Sequence, residues 1–265
     1  MDPTSLPTRL IRAPFTPMQR EPDPLTEQVS QALLGQAVAV LEESGAWLRV
    51  RTPDEYEGWI QAAAAVEAPE GWAGPWAEVE ELWANLRARP DSELPAVLPA
   101  MIGTRLPLLD RDEKWATLRG PEGAPLYTEV KRVRSLEERP ARPRSRRSIC
   151  ATARRFLGIP YLWGGCSPWG LDCSGFVQLV LRLHGVLLQR DAGPQSRQGE
   201  PAPEPDAADL VFFGPPERPE AITHVGMMLD RERFIHALGS DRVRIDPLRG
   251  GRLEREYRFA RRYLP

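Results

Sequence analysis

Leu171-Asp172-Cys173-Ser174-Gly175-Phe176 is the stretch of this 265-residue chain that decides its fold and its chemistry. It follows Tyr161-Leu162-Trp163-Gly164-Gly165, predicted as a strand and a turn, and it begins an apolar run predicted as a helix from Cys173 to His184. A thiol in the first turn of a helix faces unpaired N–H groups and the positive end of the helix dipole, and both lower the cysteine pKa. We therefore predict that Cys173 is a thiolate nucleophile if a histidine lies beside it.

The chain contains three histidines, which are the candidates for the base. His184 lies at the end of the predicted helix, where its ring can bind terminal carbonyl groups, so we predict a structural role for it. His224 and His236 lie in consecutive predicted strands, and the turn between these strands would place the two rings side by side. Each of them alone is better explained as a packed strand residue, and the pair lacks the nearby acidic or cysteine ligands of a metal site. Together with Cys173, however, they supply the nucleophile, base and orienting group that acyl transfer requires.

Residues 148–265 are predicted to form one α+β domain around this set. A first helix ends at Gly158, and the helix of Cys173 follows it. Four strands of an antiparallel sheet are then predicted at residues 208–213, 224–229, 233–237 and 242–245. A helix that holds a nucleophile and packs on such a sheet gives the domain its α+β character.

Two copies of one β pattern precede this domain. In the first copy the strands Val38–Leu41 and Trp47–Arg51 flank a Ser-Gly turn, and Tyr56-Glu57-Gly58-Trp59 leads into a third strand. A weaker copy, with Trp115 in its second strand, follows it. The order of strands and turns resembles a bacterial SH3-like barrel. We predict SH3-like domains at residues 28–70 and 95–138.

The remaining segments connect these domains. Residues 1–27 are rich in proline and are predicted to be irregular. Residues 71–94 are predicted as a helical connector, because apolar residues from Pro75 to Arg89 recur at i, i+3 and i+4. Residues 139–147 are an arginine-rich predicted linker. Such a segment can also bind nucleic acid, but it has no aromatic residues between its arginines and the total charge is balanced, which favours a solvated linker.

The composition excludes several classes of protein. The formal net charge of −2 argues against nucleic-acid or anionic-membrane binding through bulk charge. No window approaches about 18 apolar residues, and the N-terminus lacks the basic start and apolar stretch of a secretory signal. Three cysteines without a disulfide or zinc spacing suit a reducing compartment. We therefore predict a soluble, cytoplasmic protein with no nucleic-acid or membrane partner.

Five segments of the predicted α+β domain, taken in order, resemble the NlpC family of cell-wall cysteine peptidases. These segments are Tyr161-Leu162-Trp163-Gly164-Gly165, Asp172-Cys173-Ser174-Gly175-Phe176, Asp209-Leu210-Val211-Phe212-Phe213, His224-Val225-Gly226-Met227 and Phe234-Ile235-His236-Ala237. The resemblance covers residues 145–260 and implies a papain-like core with Cys173 as nucleophile, His224 as base and His236 as the third polar residue. It also implies that the Tyr161 hydroxyl joins the Cys173 backbone N–H in binding the oxyanion, and that no metal or organic cofactor is required.

With two SH3-like domains ahead of this core, the whole chain is similar to the γ-D-glutamyl-L-diamino acid endopeptidases. The resemblance implies cleavage between D-Glu and the diamino acid in small murein-derived peptides, L-Ala-γ-D-Glu-diamino acid, during recycling of cell-wall fragments. Tyr56 of the first SH3-like domain and Asp191 on the rim of the peptidase domain would then bind the free L-Ala amine. Gln36 stands where the subgroup has an acid, which removes one countercharge for this amine. The implied substrate-binding set also includes Asp172, Ser174 and Trp163.

Alternatives remain for single residues and for the whole protein. Tyr56 could be a surface aromatic of the barrel, Asp191 a loop cap, and Asp172 a helix N-cap, which is compatible with ligand binding. The protein could also be a hydrolase of intact peptidoglycan with its SH3-like pair as wall anchors, or a peptide-binding protein without activity. The intact cysteine and histidine set argues against the last of these.

Overall fold

The computed structural model describes residues 6–138 and 141–264 and divides into two compact units, which meet in sequence between residues 140 and 141. Residues 1–5 of the predicted irregular segment and 139–140 of the predicted linker lie outside the described residues, as does residue 265. In the described parts of the chain, no helix is both long enough and apolar enough to cross a membrane.

The first unit begins with a seven-stranded antiparallel sheet. Its strands are β1 (Thr8–Ile11), β2 (Phe15–Gln19), β3 (Gln28–Leu33), β4 (Ala37–Ser44), β5 (Trp47–Arg51), β6 (Glu57–Gln61) and β7 (Ala65–Val66). They are ordered β3-β2-β6-β5-β4-β1-β7. Strand β5 shows how the sequence specifies the barrel, because Leu48 and Val50 alternate with polar residues and point into the core beside Met18 and Ile60.

A second set of strands completes the unit. It consists of β8 (Trp76–Val79), β9 (Trp83–Leu86), β10 (Leu98–Met101), β11 (Arg105–Arg111), β12 (Trp115–Arg119), β13 (Pro125–Glu129) and β14 (Val133–Ser135). Five of these strands form a sheet in the order β13-β12-β11-β8-β14, and β9 pairs with β10. Leu34, from the loop after β3, packs into the core of this second barrel, so the two barrels share buried apolar surface.

The prediction that residues 1–27 are irregular is wrong for two segments. Strand β1 pairs with β4 and β7, and β2 pairs with β3 and β6, so both are part of the first sheet. Leu10, Ile11 and Met18 are fully buried there. Prolines around these strands suggested irregular structure, but Pro17 lies on β2 with its side chain exposed, and the burial of the neighbouring apolar residues favours strand pairing.

The prediction of a helical connector at residues 71–94 is also wrong. The segment forms β8 and β9, which pair with β11, β14 and β10. Apolar residues at Val79 and Leu86 fit helical spacing, but Ala84 and Leu86 in β9 are buried alternately with exposed neighbours, as in a strand. Pairing with distant strands therefore outweighs the local periodicity.

The second unit is the predicted α+β domain. Its helices are α1 (Arg146–Arg154), α2 (Cys173–Leu183) and α3 (Ala192–Gln195). Its strands are β15 (Cys166–Ser167), β16 (Gly170–Leu171), β17 (Glu200–Pro201), β18 (Leu210–Phe213), β19 (His224–Met228), β20 (Arg233–Ala237), β21 (Val243–Pro247) and β22 (Tyr257–Arg262). A six-stranded antiparallel sheet is ordered β17-β22-β18-β19-β20-β21, and α2 packs against β19 and β20. Strand β22 was not predicted, and α1 ends before the expected Gly158.

Candidate active site

The start of α2 is fixed by contacts of its first residues. Asp172 is the N-cap, and its Oδ1 accepts a hydrogen bond from the Gly175 backbone N–H at 2.7 Å. The Asp172 N–H donates in turn to the Gly165 carbonyl at 3.1 Å. A Cβ on Gly175 would lie 2.2 Å from that carbonyl oxygen, so only glycine lets the helix approach the Gly164-Gly165 turn this closely. The Asp-Cys-Ser-Gly sequence therefore holds Cys173 at one defined point.

The Cys173 thiol is buried, with only 8% of the residue exposed. The pKa of Cys173 is raised to about 12, first by burial and then by the neighbouring Asp172 carboxylate, although the N–H groups of Val225 and Ser174 and the Arg190 guanidinium oppose this shift. The prediction that the helix terminus makes Cys173 a thiolate is therefore wrong for the resting protein, because desolvation outweighs the dipole. The nucleophile is a thiol that must lose its proton to a base.

His224 and His236 are brought together as their positions on consecutive strands predict. Strands β19 and β20 pair with Met227 opposite Ile235. The Nε2 atom of His224 lies 2.7 Å from Nδ1 of His236, and the rings meet edge to face. Gly226 makes room for the side chains of β20, because a Cβ there would lie 2.5 Å from the Phe234 ring and 3.2 Å from the His236 Cβ. Val225 adjoins His224 and directs its N–H to the Cys173 sulfur, so the thiol lies at the same end of β19 as the histidine pair.

Both histidines are neutral around pH 7. The pKa of His224 is lowered to about 3, first by burial and then by the nearby His236. Burial also lowers the pKa of His236 to about 4, although its hydrogen bond to Asp246 opposes this shift. A neutral imidazole has a lone pair with which to accept a proton, so the pair is poised as a base.

The hydrogen-bonded line of polar side chains extends beyond His236 to Asp246, which is not among the predicted site residues. Asp246 on β21 places its Oδ2 3.2 Å from Nε2 of His236, which is itself completely buried. Asp246 was not predicted as a site residue, since the predicted strand ended one residue before it. The signal available was the alternation of Arg244 and Asp246 on a strand adjacent to that of His236.

A buried arginine on the other flank of Cys173 was also missed. Arg190 is 2% exposed, and its Nη1 and Nη2 donate to the two carboxylate oxygens of Asp172 at 3.0 and 2.5 Å. The Ser174 hydroxyl accepts from Arg190 Nη1 at 2.9 Å and donates to Asp172 Oδ1 at 3.1 Å. Asp172 is thus both helix cap and ion-pair partner. Substrate contacts by Asp172 and Ser174 stay predictions, and they would extend this network.

Tyr161 and Trp163 lie in the turn that α2 packs against. Burial raises the pKa of Tyr161, and the nearby Cys173 and Asp172 raise it further, so its phenol stays protonated and is a hydrogen-bond donor. This matches the requirement of an oxyanion donor beside the thiol. Trp163 is 60% exposed and presents an aromatic face on the surface of the domain.

The residues predicted to bind the substrate amine lie in different units. Tyr56 is half-buried and packs against the core of the first barrel, where it lines a cavity of about 400 Å³ with Arg20, Arg49 and Glu57. The Gln36 side chain is engaged locally, because its Oε1 accepts from the Leu33 N–H at 2.9 Å.

Asp191, in the second unit, precedes α3 without a side-chain capping bond. Its carboxylate is exposed, which fits the predicted position on the rim of the domain.

His184 is a structural residue, as its position at the end of α2 predicts. Its Nδ1 lies 2.8 Å from the Pro143 carbonyl oxygen, and its Nε2 lies 2.9 Å from the Thr152 hydroxyl. A carbonyl only accepts hydrogen bonds, so the proton of this ring is on Nδ1.

Comparisons with known proteins agree with this fold. Residues 158–262 match the NlpC/P60 family, and residues 18–64 match the bacterial dipeptidyl-peptidase Sh3 domain. The predicted fold class, an all-β SH3-like region followed by an α+β peptidase domain, is thereby confirmed.

Two relatives and one solved structure extend the match over most of the chain. Gamma-D-glutamyl-L-lysine dipeptidyl-peptidase of Bacillus cereus (strain ATCC 10987 / NRS 248) is 33% identical over 253 residues, which cover 89% of this chain and 75% of that one. The protein of the same name from Bacillus subtilis (strain 168) is 31% identical over 224 residues, covering 78% and 71%. The crystal structure of an NlpC/P60 family protein from Bacillus cereus ATCC 10987 superposes with a TM-score of 0.87 at 27% identity, covering 97% of this chain and 100% of that one.

Proposed function

The chain belongs to the NlpC/P60 family of cysteine peptidases, and we propose that it hydrolyses the bond between D-Glu and a diamino acid in peptides derived from peptidoglycan. The observation that carries this proposal is the contact of 2.7 Å between His224 and His236 beside the buried Cys173 thiol. The choice of substrate is supported by two relatives named for the γ-D-glutamyl-L-lysine bond, since their similarity includes the SH3-like region as well as the peptidase domain.

The geometry supports a reaction in two acyl-transfer steps. The ring nitrogen of His224 that does not face His236 is Nδ1, and this atom takes the proton of the Cys173 thiol as sulfur attacks the γ-carbonyl carbon of D-Glu. The Cys173 N–H and the Tyr161 hydroxyl stabilise the oxyanion. His224 then gives its proton to the departing amine of the diamino acid, which leaves a thioester. Water activated by His224 hydrolyses the thioester and restores the thiol.

A free amino terminus on the substrate is the second part of the proposal. A dipeptidyl-peptidase releases two residues from an amino terminus, and in the proposed substrate those are L-Ala and D-Glu. The exposed Asp191 carboxylate is the proposed ligand of the L-Ala ammonium group. The role of Tyr56 in binding this amine stays a prediction. Because the Gln36 amide oxygen already accepts a hydrogen bond from Leu33, Asp191 is the proposed countercharge.

The test compares two tripeptides and one variant. L-Ala-γ-D-Glu-L-Lys and its N-acetylated form are incubated with the protein, and free lysine is measured by mass spectrometry. We expect release from the free peptide and loss of at least about 100-fold for the acetylated one, because the acetylated nitrogen has no positive charge to pair with the Asp191 carboxylate. Equal cleavage of both peptides would contradict the requirement for a free amine. Activity retained in Cys173→Ala would contradict the mechanism.

Purified sacculi provide the comparison with the alternative substrate. Release of lysine from the free tripeptide but not from sacculi is expected, whereas efficient digestion of sacculi would favour a hydrolase of the intact wall. The cytoplasmic location and the role in cell-wall recycling stay predictions. Fractionation of cells with an antibody against the protein would test the first of them.

A further inference from the structure

The carboxylate of Asp246 ends a line of polar groups that begins at the nucleophile. Antiparallel pairing of β20 and β21 sets His236 opposite Arg244 and Phe234 opposite Asp246. Asp246 is therefore the diagonal neighbour of His236 on the same face of the sheet, within reach of a carboxylate. The distances along the line are 3.2 Å from Asp246 Oδ2 to His236 Nε2 and 2.7 Å from His236 Nδ1 to His224 Nε2.

Asp246, the last group of this line, determines which nitrogen of each histidine carries the proton. An ionised carboxylate only accepts hydrogen bonds, so His236 must carry its proton on Nε2. In a neutral His236 ring, Nδ1 is then an acceptor, and it must receive the Nε2–H of His224. The remaining nitrogen of His224, Nδ1, is left without a proton. This is the only arrangement in which His224 can take the proton of Cys173.

Asp246 is itself held in one orientation. Its Oδ1 accepts from Nε and Nη2 of Arg244 at 2.9 and 2.7 Å, while its Oδ2 faces His236. Arg244 is held from its other side by Asp241, whose Oδ2 lies 3.1 Å from Nη1. Asp246 is 9% exposed, so its charge acts on His236 with little screening by water.

We propose that Asp246 is a positioning residue that fixes the tautomers of both histidines and stabilises the imidazolium formed on His224. The inference rests on the cysteine peptidase chemistry of the site and not on the identity of the peptide that is cleaved. When the Cys173 proton moves to His224 Nδ1, positive charge appears one ring away from the carboxylate. Without Asp246, both histidines can adopt the opposite tautomers, in which His224 Nδ1 already carries a proton. That proton blocks the transfer from Cys173. A substitution that removes the carboxylate is therefore expected to impair proton transfer while the nucleophile and base remain in place.

The direct test observes the tautomers in Asp246→Asn. The amide nitrogen of asparagine can donate to His236 Nε2, which favours the reversed tautomers. The chain has three histidines, so a protein labelled with ¹⁵N-histidine gives three rings to assign. His184 is the internal reference, because its Nδ1 faces the Pro143 carbonyl and its tautomer is fixed away from this site. In the wild type we expect the proton of His224 on Nε2, and in Asp246→Asn a substantial fraction on Nδ1.

Reactivity of the thiol gives a second readout that needs no substrate. The rate of Cys173 alkylation by iodoacetamide is followed against pH by peptide mass spectrometry. The charged groups that act on His236 are Asp246, Arg244 and Asp241. Those that act on Cys173 are Asp172 and Arg190. Losing the carboxylate disfavours the imidazolium, so in Asp246→Asn the alkylation should begin at higher pH. The rate at pH 7 should be lower by about 10- to 100-fold, the range found when the hydrogen-bond partner of a metal-binding histidine is removed.

A control variant separates positioning from folding and from general charge. Asp241→Asn removes an equal charge and a partner of Arg244 without a hydrogen bond to His236. It is expected to alkylate within about threefold of the wild type and to keep its tautomers, whatever it does to the melting temperature. Unchanged tautomers and an unchanged alkylation profile in a folded Asp246→Asn would overturn the proposal, as would an equal effect of Asp241→Asn.

Discussion

Asp172 and Arg190 form a buried ion pair directly beside the nucleophile, with Nη2 of the arginine 2.5 Å from Oδ2 of the aspartate. The side chain of Arg190 is 1% exposed and that of Asp172 is 10% exposed. The same carboxylate caps α2 through the Gly175 N–H and receives the Ser174 hydroxyl. One charged pair therefore determines where the helix of Cys173 begins, and it also sets the charge balance around the thiol.

Removing one partner of this pair is expected to cost more than removing both. In Arg190→Met the Asp172 carboxylate is left buried without a countercharge, and the free energy of unfolding should fall by about 3–5 kcal/mol. In the double variant Asp172→Asn/Arg190→Met the charge is gone while asparagine can still cap the helix, so part of this loss should be recovered. Urea unfolding at pH 7 measures both values. A double variant no more stable than Arg190→Met would show that packing, rather than charge, determines the loss.

Gly175→Ala is expected to displace the start of α2. The added Cβ would lie 2.2 Å from the Gly165 carbonyl oxygen, so backbone must move, at a cost of about 1–3 kcal/mol in unfolding free energy. Activity on a peptide substrate should fall by at least about 100-fold, because the sulfur moves with the helix. Gly193→Ala in α3 is the matched control, since its Cβ would have no neighbour closer than 4.0 Å. Equal tolerance of the two changes would contradict the close packing of α2 on the turn.

The local parts of the site could be predicted from sequence because they depend on neighbouring residues. The Asp-Cys-Ser-Gly segment contains its own helix cap, and alternation along two strands is enough to place His224 and His236 on one face. The first barrel follows from the same kind of alternation around Trp47–Arg51.

The missed parts depend on pairing between segments that are distant in sequence. Arg190 and Asp246 are charged residues whose burial follows only from their partners in the fold. The apolar spacing in residues 76–86 fits both a helix and strands, and pairing with β10, β11 and β14 decides between them. The pKa of Cys173 was predicted in the wrong direction, because the helix dipole is visible in sequence whereas desolvation is a property of the packed domain.

The buried histidines predict a loss of stability in mild acid. Each has a pKa of about 6.5 in the unfolded chain, and burial lowers it in the folded protein, to about 4 for His236. Below pH 6.5 the unfolded chain therefore binds more protons, and the free energy of unfolding falls as the pH falls towards 4. By about pH 4, the loss of unfolding free energy that comes from His236 alone amounts to about 3 kcal/mol.

Urea unfolding at pH 7, 6 and 5 measures this slope. Its matched control is His236→Asn, which should be less stable at pH 7 but should lose less stability between pH 7 and pH 5 than the wild type. Parallel slopes for the two proteins would contradict a neutral, buried His236. Carboxylates whose pKa is lowered in the folded protein, such as Asp209 and Asp230, affect the free energy of unfolding in a separate and more acidic pH range.

Tyr161→Phe is expected to slow the chemical steps with little effect on substrate binding. The Tyr161 phenol stays protonated because burial, Cys173 and Asp172 raise its pKa, so its O–H can donate to an oxyanion that exists only in the transition state. Loss of one such donor lowers kcat by about 100- to 1000-fold, and KM should change by less than about threefold. Tyr257→Phe is the matched control, since Tyr257 is also half-buried but packs against Phe213 on the sheet. Steady-state kinetics with the free tripeptide measures both variants. A Tyr161→Phe protein that raises KM and keeps kcat would assign Tyr161 to substrate binding, and an equal loss in Tyr257→Phe would point to folding instead.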